Sequence, residues 1–128
     1  RKIASGIATG EVLRSAAPIS FFGGVDPESG VVVEPGHPLA GRSVAGRVLV
    51  FPTGKGSTVG SYTLYRLARR GVAPAAIVNR ECETIVAVGA ILGELPCVDH
   101  IDLEALADGV RVEVDGEQGT VTVLHPNS

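Results

Sequence analysis

The chain has 128 residues, of which 45% are hydrophobic and 20% charged, with a net charge of −3. This length and composition suit one globular domain with its own core, and the lack of a basic cluster argues against nucleic acid as a partner. No apolar run approaches the roughly 20 residues that a membrane-spanning helix needs. No apolar signal segment follows the first four residues, so we expect a cytoplasmic location.

The hydrophobic pattern predicts alternating strands, loops and helices. Strands are predicted at residues 3–13, 31–33, 47–51, 75–78 and 96–98, and helices at 61–70, 84–92 and 101–107. Residues 109–114 and 119–124 alternate strictly about the turn 115–118, which predicts a hairpin. Loops rich in turn residues are expected at 21–30 and 35–42. We expect a glycine bulge at Gly6 or Gly10, a helix end at Gly71 and a cap at Asp102. The pattern indicates a single α/β domain over residues 1–128.

A Gly-rich segment, Pro-Thr-Gly-Lys-Gly-Ser-Thr-Val-Gly-Ser-Tyr at 52–62, lies between a predicted strand and a predicted helix. Such a turn directs backbone N–H groups and the positive end of the helix dipole at one point, which suits a carboxylate, a phosphate or an oxyanion. A nucleotide-binding P-loop is excluded, because Leu49 stands where its first glycine would be and Gly56 separates Lys55 from Ser57. No Gly-x-Ser-x-Gly nucleophile elbow is present either. The alternative to a reactive site is an ordinary turn in which Ser57 or Thr58 caps the helix.

Cys82 and Cys97 are the only cysteines. Two thiols alone cannot supply a four-ligand zinc site or an iron–sulfur cluster. Cys97 is expected to be a small buried hydrophobic residue, and the two glutamates beside Cys82 oppose formation of its thiolate, so we expect neither to be a nucleophile. A disulfide between them is not expected in a reducing cytoplasm. His100 and His125 have no evident ligand companions, so no metal site is predicted.

Four segments resemble a known family, in order and at compatible spacing: Phe-Phe-Gly-Gly-Val-Asp-Pro at 21–27, His-Pro-Leu-Ala-Gly at 37–41, the Gly-rich segment at 54–62, and Arg-Arg-Gly-Val-Ala-Pro-Ala-Ala-Ile at 69–77. Together they are similar to the swivel domain of aconitase X, which often occurs as a separate small subunit. The resemblance implies a swivelling β/β/α domain, a small barrel-like sheet with flanking helices. It further implies a heterodimer whose large subunit holds a [4Fe–4S] cluster on three cysteines. The small number of cysteines in this chain agrees with a cluster housed in the partner.

The resemblance implies a hydro-lyase subunit that dehydrates (R)-mevalonate 5-phosphate to trans-anhydromevalonate 5-phosphate. In aconitase-type enzymes a serine in a Gly-Ser-Ser-like turn removes the proton α to the substrate carboxylate, and Ser57 after Gly56 matches that serine. Thr58 replaces the common second serine, and the arginine that follows in aconitase is missing. The substrate-binding candidates are Lys55, Gly56, Thr58, Gly24, Asp26 and His37.

Other interpretations stay open at the level of sequence. Asp26 before Pro27 can simply initiate a turn, and His37 can be a loop histidine bonded to backbone. A related enzyme would dehydrate cis-3-hydroxy-L-proline instead. A swivelling domain can also be a noncatalytic binding module, because fold does not fix chemistry.

Overall fold

Seven strands form one curled sheet in the computed structural model, which describes residues 1–124. In chain order the strands are β1 (Lys2–Ala4), β2 (Ile7–Arg14), β3 (Val48–Phe51), β4 (Ala76–Asn79), β5 (Cys97–Val98), β6 (Arg111–Asp115) and β7 (Thr120–Val123). The helices are α1 (Phe21–Gly24), which is a single turn, α2 (Gly60–Arg69), α3 (Thr84–Leu92) and a 3₁₀ turn at Leu103–Ala105. Within residues 1–124 no helix is long and apolar enough to cross a membrane.

The strands lie in the order β1-β5-β4-β3-β2-β6-β7. β2, β3, β4 and β5 run parallel, and the connections between them contain α1, α2 and α3 in turn. β1 is antiparallel to β5, and β6 and β7 extend the sheet beyond β2 as an antiparallel hairpin. The four parallel strands therefore end at one edge of the sheet, and the segments that follow them meet there.

Both faces of the central strands are buried, which explains their nearly unbroken apolar sequence. Phe51 of β3 belongs to a core cluster that includes Leu64 of α2. Val50, the preceding residue, belongs to a second cluster that includes Val112 of β6. Because successive side chains of a strand point to opposite faces, one face packs against the helices and the other fills the inside of the curl.

The curl brings β1 close to the turn between β6 and β7. A Cβ on Gly119 would stand 2.7 Å from the backbone nitrogen of Lys2, and Lys2 Nζ lies 3.4 Å from Glu117 Oε2. The result is the barrel-like sheet with flanking helices that the resemblance implied, so the predicted fold class is confirmed.

Two predicted strands were wrong. The segment 3–13 is two strands, because the chain breaks at Gly6, which has a φ of +118°. Gly6 separates β1 from β2, which lie in different parts of the sheet, so it is not a bulge inside one strand. Residues 31–33 make only isolated bridges within a loop, because no neighbouring segment offers them a continuous ladder.

Most other elements agree with the sequence. α3 has the predicted bounds, and the hairpin is formed by β6 and β7. Gly71 follows α2 with a φ of +74°, and its N–H donates to the carbonyl of Ala68 (3.2 Å). Asp102 caps the 3₁₀ turn by accepting from the N–H of Glu104 (3.1 Å). His125 lies outside the described residues.

Candidate active site

The segments that follow three parallel strands meet at one edge of the sheet. They are residues 15–20 after β2, 52–59 after β3 and 80–83 after β4. The carboxyl edge of a parallel sheet is where α/β proteins bind ligands. The Gly-rich segment singled out in the sequence is the central one of the three.

Ser57 is exposed on the loop between β3 and α2. Its hydroxyl accepts a hydrogen bond from the N–H of Val59 (3.1 Å), and its carbonyl accepts from the N–H of Gly60 (2.9 Å). The residue at the cap position of α2 is Val59, whose own side chain cannot accept a capping hydrogen bond, and no other side chain of residues 1–124 caps the helix. Ser57 closes an extra turn ahead of the helix, so the alternative in which Ser57 or Thr58 caps the helix was wrong.

Three consecutive backbone donors on this loop have no hydrogen-bond acceptor in the part of the chain that the structure describes. Among residues 1–124, none accepts a hydrogen bond from the N–H of Gly56, Ser57 or Thr58. All three residues are exposed, and they directly precede the N-terminus of α2, where the helix dipole adds partial positive charge. Free N–H groups at such a place can bind a carboxylate, a phosphate or an oxyanion.

A second segment, residues 19–24, packs against this loop. Ile19 pairs with Gly54 in a short parallel bridge. Ser20 Oγ lies so close to Gly56 that a Cβ at position 56 would clash with it. Gly56 also has a φ of +93°. Both its backbone conformation and its neighbour therefore require glycine at this position.

Glu34 contacts both Lys55 and Gly24. Lys55 Nζ lies 3.3 Å from Glu34 Oε2, and the N–H of Glu34 donates to the carbonyl of Gly24 (3.3 Å). The Lys55 side chain is 48% exposed and the Glu34 side chain 28% exposed. The pair is thus accessible from solvent, and the ammonium can exchange Glu34 for an anionic ligand.

The N-termini of α2 and α3 are held together behind the loop. The Glu83 carboxylate caps α3 by accepting from the N–H groups of Ile85 (2.9 Å) and Val86 (2.8 Å). Ser61 Oγ donates to the carbonyl of Ile85 (2.7 Å). Glu83 also packs against Gly54, where the loop begins. These contacts connect the loop rigidly to α3.

His37 is buried, and backbone groups bind both of its ring nitrogens. The N–H of Leu39 donates to Nδ1 (3.0 Å), so Nε2 carries the proton and donates to the carbonyl of Pro18 (3.1 Å). The ring thereby fixes the segment that leads into Ile19. In this arrangement neither ring nitrogen is left to transfer a proton to a ligand.

Asp26 stabilises a separate turn. Its Oδ1 accepts from the N–H of Glu28 (3.0 Å) and its Oδ2 from the hydroxyl of Ser29 (2.9 Å). These two hydrogen bonds, the one from Glu28 first, hold the pKa of Asp26 below its ordinary value. Asp26 lines a groove of about 340 Å³ with Arg66, and that groove does not include Ser57.

The two cysteines do not form a cluster-binding site. Their sulfur atoms lie 3.9 Å apart, and Cys97 is buried. Iron–sulfur clusters are held by more thiolates than this chain contains. The [4Fe–4S] cluster that the resemblance implies therefore does not fit the residues of this chain.

One group of metal-ligating side chains was not expected from the sequence. Donor atoms of Glu81, Asp99 and His100 lie within 4.8 Å of one another, so His100 does have companions. The Asp99 carboxylate, however, is already bound by the guanidinium of Arg1 (3.0 and 2.9 Å) and by the N–H of Cys82 (2.8 Å). Glu81, Asp99 and His100 are therefore part of an ion-pair network with Arg1.

An apolar groove of about 390 Å³ begins at Thr58 and runs between α2 and α3. Tyr62, Ile85 and Val88 contribute to its lining. Tyr62 is 66% exposed, and Ile91, one turn further along α3, is 59% exposed. The segment 52–59, which we call the Ser57 loop, thus continues into an exposed apolar surface, which we call the α2–α3 face.

Sequence reasoning missed Glu34 and Glu83. Glu83 could have been found, because an acidic residue directly before a helical segment is a typical N-cap. Glu34 gives no such signal, since 21 residues separate it from Lys55 and only the folded chain brings the two together.

Known proteins are similar in sequence to this chain over nearly its whole length. Residues 1–123 match the family model of the aconitase X swivel domain. The chain is 54% identical to the phosphomevalonate dehydratase small subunit of Methanosarcina acetivorans, a similarity that covers 98% of this chain and 90% of that protein. It is 52% identical to the subunit of the same name from Thermococcus kodakarensis, over 97% of this chain and 93% of that protein.

A solved structure has the same fold. The crystal structure of Thermococcus kodakaraensis aconitase X in its holo-form matches with a TM-score of 0.96 and 51% identity, covering 98% of this chain and 95% of that chain. The residues that match the family model, 1–123, include the loop that carries Ser57. The chain belongs to the aconitase X swivel domain family.

Proposed function

We propose that this chain is the small subunit of a phosphomevalonate dehydratase, with Ser57 as the proton acceptor. The reaction removes water from (R)-mevalonate 5-phosphate and leaves trans-anhydromevalonate 5-phosphate. The names of the relatives from Methanosarcina acetivorans and Thermococcus kodakarensis favour this substrate over cis-3-hydroxy-L-proline and an enzyme over a noncatalytic module. A cytoplasmic location stays a prediction.

The observation that carries the proposed role of Ser57 is its setting. The hydroxyl is exposed on a loop whose N–H groups at Gly56, Ser57 and Thr58 have no acceptor within residues 1–124. A serine hydroxyl is a very weak acid, so it can act as a base only where its alkoxide is stabilised. Preorganised N–H donors and a helix N-terminus, shielded from water, provide that stabilisation.

The dehydration requires the removal of one proton from the substrate and the departure of one hydroxyl group. Ser57 takes the proton from the carbon next to the substrate carboxylate, and the hydroxyl on the following carbon leaves with a proton as water. We propose that the free N–H groups of Gly56 and Thr58, together with the Lys55 ammonium, bind the carboxylate. The substrate carboxylate would replace the Glu34 carboxylate as the ion-pair partner of the Lys55 ammonium.

The other three candidates receive supporting roles in this proposal. The carbonyl of Gly24 holds Glu34, and His37 fixes the segment that pairs with Gly54. Asp26 orders the following turn through Glu28 and Ser29. We therefore narrow the substrate contacts to Lys55, Gly56 and Thr58.

The small-subunit names imply a larger partner, and we propose that this partner covers the loop and the α2–α3 face. The exposed Tyr62 and Ile91 extend the loop into an apolar surface, which is the kind of surface that a stable partner buries. We propose that this partner also holds the [4Fe–4S] cluster, since the cysteines of this chain do not suit it. When bound, the cluster would supply a Lewis acid for the departing hydroxyl.

Substitution of Ser57 in the complex reconstituted with the larger subunit tests the proposal. Ser57→Ala should lower kcat about 10²–10⁴-fold with little change in KM, because the lost interaction is made in the transition state. Thr58→Ala is the matched control: it removes the neighbouring hydroxyl but keeps the backbone N–H that the proposal uses, so kcat and KM should both stay close to those of the unaltered complex. Near-normal turnover by Ser57→Ala would remove Ser57 from the mechanism. Parallel assays with (R)-mevalonate 5-phosphate and cis-3-hydroxy-L-proline test the substrate assignment separately.

A further inference from the structure

The two cysteines, 15 residues apart in sequence, form a close pair in the fold. Cys82 Sγ and Cys97 Sγ lie 3.9 Å apart. Cys97 is buried on β5, whereas Cys82 is half-buried in the segment between β4 and α3. Cys82 is therefore the more solvent-accessible residue of the pair.

Backbone contacts hold both cysteines in place. Cys97 pairs with Ile77 of β4 and with Ala4 of β1. The N–H of Cys82 donates to the carboxylate of Asp99 (2.8 Å), which follows β5 and is itself held by Arg1. The sulfur atoms thus approach each other because two anchored segments bring them together.

The two thiols differ in reactivity. The hydrogen bond with Cys82, and secondly its burial, raise the pKa of the Cys97 thiol, so Cys97 stays protonated at neutral pH. Cys82 is the more accessible sulfur, and an oxidant from solvent meets it first. This arrangement has an outer thiol that reacts first and an inner thiol that resolves the product.

We propose that Cys82 and Cys97 form a reversible intramolecular disulfide in response to hydrogen peroxide. The Cys82 thiol gives up its proton and its sulfur attacks one peroxide oxygen, which breaks the O–O bond and gives a sulfenic acid at Cys82; the other peroxide oxygen takes up a proton and leaves as water. The Cys97 thiol then transfers its proton to the sulfenic oxygen as its sulfur attacks the Cys82 sulfur, so the S–O bond breaks and a second water leaves. Two thiols are oxidised by two electrons and one peroxide is reduced, and a dithiol reductant reverses the reaction.

Formation of the disulfide would disturb the Ser57 loop through two adjacent contacts. The consequence of this disturbance for activity rests on the proposed function. Closing the bond requires the sulfur atoms to approach by about 2 Å more. Cys82 is bonded to Glu83, whose carboxylate caps α3 and packs against Gly54. A shift of Cys82 therefore disturbs the residue against which the loop begins.

Mass spectrometry of the reduced chain treated with hydrogen peroxide tests the proposal. Thiols are alkylated after the treatment. We expect the untreated chain to be alkylated at both cysteines and the peroxide-treated chain at neither. The treated chain should be a monomer whose mass is lower by two hydrogens. Reduction with dithiothreitol should restore alkylation at both cysteines. The link is mapped with trypsin followed by a glutamate-specific protease. No Lys or Arg separates Cys82 from Cys97, whereas Glu83 and Glu94 do.

Two variants keep the test decisive. In Cys97→Ala the Cys82 sulfenic acid should persist and react with dimedone, and in Cys82→Ala the Cys97 thiol should stay reduced. A disulfide-linked dimer, over-oxidation of Cys82 in the unaltered chain, or two unreacted thiols would each overturn the proposal. Hydrogen exchange in residues 54–60 should change on oxidation of the unaltered chain but not of Cys97→Ala. These measurements need no turnover, so their outcome is independent of whether Ser57 is the proton acceptor.

Discussion

The carboxylate of Glu83 occupies the space in which a side chain at position 54 would begin. A Cβ on Gly54 would stand 2.5 Å from Glu83 Oε1 and 2.5 Å from Val86 Cγ2. The carboxylate cannot move away freely, because it accepts the hydrogen bonds that cap α3. The first glycine of the Ser57 loop is thus required by packing against a helix cap.

Gly54→Ala should destabilise the chain by about 1–3 kcal/mol, the usual cost of overpacking. The added methyl displaces Glu83 from the cap or pushes the loop away from α3. Urea denaturation should show a lower midpoint with an unchanged slope.

A double-mutant cycle with Glu83→Ser is the control for this prediction. Serine keeps a capping oxygen but removes the carboxylate from Gly54. The destabilisation of the double variant should be smaller than the sum of the two single effects by at least about 0.5 kcal/mol. Additive effects would mean that the two residues are not coupled.

Lysine at Tyr62 or Ile91 should weaken binding to the larger subunit without unfolding the chain. Both side chains are more than half exposed, so a charge there costs little in the isolated chain. Loss of a central apolar contact at an interface costs about 2 kcal/mol, which corresponds to roughly a 30-fold rise in Kd. Calorimetric titration measures this effect. Thr122→Lys, on the exposed side of β7, is the matched control and should leave Kd unchanged.

The Asp99 carboxylate should make stability depend on acid pH. Burial alone would raise its pKa, but the hydrogen bonds from Arg1 and Cys82 outweigh burial and lower the pKa below the ordinary 3.8. Folding therefore favours the charged form. The resulting stabilisation is fully present above the pKa of the unfolded chain, about 3.9, and is lost as the pH falls through the lower folded value.

Urea denaturation between neutral pH and pH about 3 measures this effect. Asp99→Asn should be less stable than the unaltered chain at neutral pH, and the gap between the two should narrow as the pH falls. A gap that does not change with pH would show that the charge of Asp99 contributes nothing.

The isolated chain should be colourless and inactive. Its two cysteines face each other and do not suit a cluster, so iron and sulfide added to this chain alone should give no stoichiometric iron–sulfur absorption. The same treatment in the presence of the larger subunit is the control and should give a visible band and dehydratase activity. Activity or a bound cluster in this chain alone would contradict the assignment.

Local sequence patterns predicted much of the backbone of this protein. The apolar run at 47–51, the helical spacing before Gly71 and the alternation around Asp115 each depend on residues a few positions apart. The Gly-rich loop was recognisable for the same reason, since its glycines and Ser57 are consecutive. Gly6 was misread because glycine weakens a strand in the same way whether it marks a bulge or a break.

Only the tertiary structure decided which side chains meet. Glu34 reaches Lys55 and Cys82 faces Cys97 because the arrangement of the strands brings segments from different connections together, and His37 binds the carbonyl of Pro18 because the long connection between β2 and β3 folds back on itself. Backbone conformation is set mainly by neighbours along the chain, whereas these contacts depend on the packing of the whole sheet. The sequence therefore determined where the Gly-rich loop lies, and the fold decided which side chains surround it.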